Sequence, residues 1–145
     1  MHGRFPYERL STYTHLGPKD AALWERFMAA FPGRYEKVDY DCWCGEGAIP
    51  KEEIKGDVYK ENFADLTKKR IDVCGTKPDG NIDCIEVRPH AGSSAIGSVI
   101  CNTMLHRDDL GEKLNGKIII TDTAQADMSR LCAEHGIELI ELDKI

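Results

Sequence analysis

The sequence predicts an α/β domain in which one mixed, five-stranded sheet is flanked by helices, in the order α-β-β-β-α-β-α-β. Three observations lead there. Two strand-forming runs meet at Pro78-Asp79-Gly80, where Pro pre-sets φ and Gly accepts a positive φ, as a three-residue hairpin loop requires. Lys117-Ile-Ile-Ile-Thr121 is continuous enough in β-branched residues to be an interior strand. Between these two lies a helical stretch, so the fourth strand follows the third by a crossover and runs parallel to it after an antiparallel meander.

Residues 1–16 form an N-terminal arm, in which Phe5, Tyr7, Arg9, Tyr13 and His15 follow neither the helical nor the strand period. Such an arm can reach a partner subunit or a phosphate backbone, or pack on its own domain. Residues 17–145 read as a single domain with a charged surface insertion at 45–69. Gly17-Pro18 opens the first helix, with Asp20 in its first turn, and Pro32-Gly33 ends it. Its core face is Trp24, Phe27, Met28 and Phe31, spaced i, i+3, i+4, i+7. Glu25 lies beside that face, either solvated or leaning toward a neighbouring metal site.

Tyr40, Cys42 and Cys44 alternate with acidic residues and Trp43, as in a strand covering 34–44. The insertion holds one short helix near Tyr59–Leu66 and ends in Lys68-Lys69-Arg70, the one basic run, which either meets a phosphate backbone or is a solvated flank. Beyond the hairpin, Pro89 stops the strand and Gly92-Ser93-Ser94 caps a helix running to about Asp109, with Ile96, Val99, Ile100 and Thr103 inward. Asp122 or Thr123 caps the last helix, Met128, Leu131 and Cys132 face in, and Gly136 closes it at C′. Ile137–Leu142 is the final strand.

A formal net charge of −6 excludes a protein that coats nucleic acid with a broad basic face, and leaves room for a local site that recruits cations. No apolar run has the length of a membrane span, and the N-terminus lacks the apolar core of a signal peptide, so a cytoplasmic protein is expected. The six cysteines contain no Cys-x-x-Cys pair and read as buried free thiols. Cys42-x-Cys44 is either a zinc or redox pair or simple strand alternation.

The chemistry concentrates in the hairpin. Counting back from Lys77 opposite Asn81 sets Asp72 opposite Glu86, and Arg88 joins their face because residues two apart on a strand point the same way. Asp72 followed by Glu86-Val87-Arg88 resembles the Asp…(Asp/Glu)-x-Lys pattern of the PD-(D/E)xK, restriction-endonuclease-like nuclease superfamily, with Arg for Lys. Ala91-Gly-Ser-Ser-Ala-Ile-Gly97 is similar to the helix start in its small phage-encoded members. Related phage nucleases often carry Gln and Tyr on that helix, where this chain has Ser98 and Asn102.

The resemblance covers roughly residues 18–142. It implies a nuclease that cleaves DNA, with Asp72, Glu86 and the Val87 carbonyl holding Mg2+ or Mn2+, Arg88 steadying phosphate charge, and Glu25 and His90 as accessory groups. Arg88 stays protonated at any working pH, so it cannot act as the base that a lysine might. The alternative is that Arg88 forms an ion pair with Asp72 and Glu86 in an inactive fold used as a phage virion or head-tail component. The expected partners are DNA, further copies of the chain or phage structural proteins, in the host cytoplasm or, for the alternative, in the virion.

Overall fold

The computed structural model describes residues 3–44, 69–110 and 114–144. The hairpin forms as its turn residues dictate. Lys77 N–H donates to the Asn81 carbonyl at 2.8 Å, Gly80 N–H to the Lys77 carbonyl at 2.9 Å, and Gly80 sits at φ +87. Asp79 Oδ1 accepts the Asn81 N–H at 2.9 Å, locking the turn from its own side chain. Register follows: Thr76 pairs Ile82, Cys74 pairs Cys84, and Val73 pairs Ile85.

In chain order the elements are β1 (Phe5–Pro6), α1 (Pro18–Ala30), β2 (Lys37–Cys44), β3 (Lys69–Thr76), β4 (Ile82–Val87), β5 (His90–Ala91), α2 (Ser93–Leu110), β6 (Leu114–Thr121), β7 (Thr123–Ala124), α3 (Met128–Glu134) and β8 (Ile137–Glu141). The main sheet has the order β1-β2-β3-β4-β6-β8. It is antiparallel from β1 to β4, and parallel from β4 through β6 to β8. Six strands replace the expected five because Phe5 and Pro6 pair with Val38 and Lys37 at the edge. β5 and β7 form a separate parallel pair. That pair corrects the expected start of the last helix: Thr123 joins a strand, and α3 begins only after Asp127, at φ 70. Gly136, at φ 64, ends that helix in the left-handed position anticipated for it.

The sheet is covered on both faces. On one, Leu23, Trp24, Phe27 and Met28 of α1 pack against Val38, Tyr40, Val73, Ile85, Ile118 and Ile120, and Trp24 Nε1 donates to Tyr40 Oη at 2.9 Å. The arm joins this core: Phe5, Tyr7, Leu10, Tyr13 and Leu16 pack on it, and Tyr7 Oη donates to the Phe31 carbonyl at 2.8 Å. On the other face, Ile96 and Val99 of α2 and Met128 and Cys132 of α3 enclose Ile119 and Ile137. β6 is thus buried on both sides, which explains its unbroken isoleucines. Among the described residues no helix is long and apolar enough to cross a membrane. The predicted helix near Tyr59–Leu66 and most of the charged insertion lie outside the described residues.

β2 changes face partway along. Asp41 has φ 54, a left-handed conformation uncommon outside Gly that Asn and Asp tolerate best, and it resets the two-residue alternation. Val38 and Tyr40 before it belong to the α1-side core, while Cys42 and Cys44 after it join a third cluster with Ile71, Cys74, Ile82 and Cys84.

Candidate active site

Where the hairpin register runs out, two carboxylates and a guanidinium meet. Asp72, one residue before the last paired Val73, turns its Oδ2 to accept the Val87 N–H at 2.9 Å. Glu86, one residue past Ile85, is 6% exposed and its Oε1 lies 3.0 Å from Arg88 Nη2. Arg88 Nη1 donates to Ser94 Oγ at 2.9 Å and Nη2 to Ser98 Oγ at 3.2 Å, so the first two turns of α2 hold the guanidinium against Glu86.

The electrostatics follow from burial. Desolvation carries the Asp72 carboxyl up to about 6, with the Val87 N–H and Arg88 opposing and the charges of Asp20 and Asp41 adding to the rise. Glu86 is carried up to about 7, first by desolvation and then by the neighbouring Asp72, again against Arg88. Asp20, in sequence only a charge in the first turn of α1, acts on this group too. Its own carboxyl is raised by burial and lowered by Arg88, and it raises both Asp72 and Glu86. Three carboxyls, from α1, β3 and β4, are thus within electrostatic reach of one arginine.

The other residues singled out in the sequence lie elsewhere. Glu25 accepts the Tyr13 hydroxyl at 2.9 Å and pairs with Arg9 at 2.9 Å, which ties the arm to α1. Asp20, just over a turn earlier on α1, is the acid that senses Arg88. His90 is exposed and lines a groove of about 380 Å³ with Lys19, Arg26, Pro89, Asp122 and Lys144. Arg70 lies over the Trp43 ring at 4.7 Å, contacts His15 and reaches Asp41 at 3.4 Å, so its charge is engaged within the fold. Lys69 belongs to β3 and pairs with Cys44 in register, while Lys68 is outside the described residues. Of the two α2 positions noted above, Ser98 bonds Arg88, and Asn102 Nδ2 donates to the Arg70 carbonyl at 3.1 Å.

The donor set suits a hard divalent cation. Asp72 and Glu86 offer carboxylate oxygens, the type Mg2+ and Mn2+ take, and Val87, next to Glu86 in the chain, carries a backbone carbonyl of the same hard type. The half-buried Asp72 raises the buried Glu86, and among the described residues Arg88 is the cation that opposes the rise of both.

No family model matches the sequence, and no curated protein matches it significantly. Among solved structures, a repair endonuclease from Pyrococcus abyssi aligns with TM-score 0.53 and 17% identity over 91% of this chain and 50% of its own. EndoMS in its apo form aligns with TM-score 0.50 and 16% identity, over 92% of this chain and 49% of its own. The chain spans about half the length of each. At such identities the likeness is one of fold: this mixed sheet with flanking helices is an endonuclease-like fold.

Proposed function

We propose that the chain is a DNA endonuclease domain dependent on Mg2+ or Mn2+, with Asp72, Glu86 and the Val87 carbonyl as the residues that would hold the ion. The observation that carries this reading is the meeting of the half-buried Asp72 and the buried Glu86 at the end of the hairpin, where the charge of Asp72 raises Glu86, on an endonuclease-like fold. When bound, the ion would supply an activated water and offset charge on the scissile phosphodiester. Asp72 is kept in place by the Val87 N–H. Arg88, permanently charged and oriented by Ser94 and Ser98, stabilises the anionic phosphate as charge builds there, and is not the base. Lys19 and Lys144 in the adjoining groove, beside the Arg26–Asp122 pair, give the phosphate backbone local positive charge on a chain whose net charge is −6.

The test is incubation of supercoiled plasmid with the purified chain and Mg2+ or Mn2+. Metal-dependent nicking or linearisation that disappears in Asp72→Asn and Glu86→Gln, both still folded, is the expected result. A second reading, a non-catalytic member of an assembly, draws on the Glu86–Arg88–Ser94–Ser98 network, which already compensates Glu86 without metal. On that reading neither the natural chain nor Arg88→Lys cleaves under any metal.

A further inference from the structure

On the face of the sheet away from α1, a cluster of thiols and one imidazole is buried beneath α2. Cys74 and Cys84 are direct cross-strand partners on β3 and β4. Both are buried, and a ring nitrogen of His106, itself 1% exposed on α2, lies with their two sulfurs in a group whose atoms are all within 4.8 Å of one another. The Cys74 thiol is also hydrogen-bonded to Cys42 of β2, which the left-handed turn at Asp41 has brought onto this face. Ile71, Ile82 and Leu105 close the surroundings against solvent.

We propose that Cys74, Cys84 and His106, with Cys42 at the fourth corner, bind one zinc ion that fastens α2 to strands β2, β3 and β4. The donors are the soft thiolate and imidazole pair that zinc selects, and they are distinct from the hard carboxylate set at Asp72 and Glu86. Tetrahedral zinc with bonds of about 2.3 Å to sulfur and about 2.0 Å to nitrogen holds its ligand atoms roughly 3.7 Å apart. The Cys74, Cys84 and His106 donor atoms lie within 4.8 Å of one another, and Cys42, outside that group, stands beside Cys74 to complete the set. On binding, three thiols lose their protons to solvent while His106 stays neutral, leaving one net negative charge. Lys117, opposite Cys84 in register, stands ready to balance it. Every ligand sits on a strand or helix, which pre-orders the site.

The experiment is metal analysis of the full chain purified under reducing conditions without chelators, followed by exchange of its metal for Co2+. Expected are one zinc per chain and, with cobalt, intense tetrahedral d–d bands with thiolate-to-cobalt charge transfer. Cys42→Ser should weaken the charge-transfer band, and Cys101→Ser, on the exposed side of α2, should leave it unchanged. The spectrum of the natural chain decides the matter even if Cys74→Ser or His106→Gln fails to fold. A folded chain that binds neither zinc nor cobalt through sulfur, whether its thiols are free or Cys74 and Cys84 are joined as a disulfide, overturns the proposal. So does a cobalt spectrum showing only oxygen ligands.

Discussion

Asp72 Oδ2 accepts the Val87 N–H at 2.9 Å, so the acid of β3 is tethered to the residue between Glu86 and Arg88. The tether is short-range and neutral on the donor side, and it fixes position without cancelling charge. Asp72→Asn can keep an oxygen acceptor at the same place while removing the charge. Its melting temperature in metal-free buffer at pH 8 should equal or exceed that of the natural chain, and Mg2+ should no longer raise it. A large loss of stability in Asp72→Asn would assign the carboxylate to a structural ion pair instead.

The same pair sets a pH dependence. Folding raises Asp72 to about 6 and Glu86 to about 7 from ordinary values of 3.8 and 4.5, so the folded chain holds protons that the unfolded chain releases. As pH rises from about 4 to about 8 the pair therefore subtracts stability, and above about pH 8 the loss is complete. In denaturant titrations, Glu86→Gln should gain on the natural chain across this window by on the order of 1–3 kcal/mol, and saturating Mg2+ should narrow the gap. A difference that stays flat with pH, or grows the other way, contradicts the burial-driven shifts.

Arg88 separates the two functional readings. If the chain cleaves DNA, Arg88→Lys should preserve or raise the rate, and Arg88→Ala should lower it by about 10²-fold or more through lost charge stabilisation. If the network around Arg88 is structural, cleavage is absent throughout and Arg88→Ala acts on thermal stability alone. Cleavage rate and melting temperature, measured on both variants, tell the cases apart.

Asp20 and Glu25 lie on one helix and are expected to behave oppositely. Asp20→Asn removes a negative charge that raises both Asp72 and Glu86, so it should weaken Mn2+ affinity several-fold with little change in melting temperature. Glu25→Gln loosens the contact with Arg9 and Tyr13, so protease sensitivity of the arm should rise while Mn2+ affinity holds. Reversed results would return the accessory role to Glu25.

Much of the central sheet was legible because one turn sets it. Pro78-Asp79-Gly80 has a single comfortable loop geometry, the register follows from it, and Asp72 and Glu86 meet as a consequence. What escaped depends on partners remote in sequence. Phe5–Pro6 becomes a strand only because β2 offers an edge, and Thr123–Ala124 leaves the last helix only because His90–Ala91 is beside it. Which acid of α1 approaches Arg88 depends on how the helix is seated, and periodicity does not report that. The thiol cluster escaped for a local reason: strict alternation would keep Cys42 on the face of Tyr40, and the positive φ at Asp41 breaks it.

The central claim is that Asp72 and Glu86 together hold a divalent cation, and Mn2+ binding followed by electron paramagnetic resonance tests it most directly, since no substrate need be known. The natural chain should bind Mn2+ with an affinity that strengthens from pH 6 to pH 8 as the two carboxyls ionise, and Asp72→Asn with Glu86→Gln, still folded, should abolish that binding. Equal Mn2+ binding by the natural chain and the folded double variant, or no binding by either, would contradict the account.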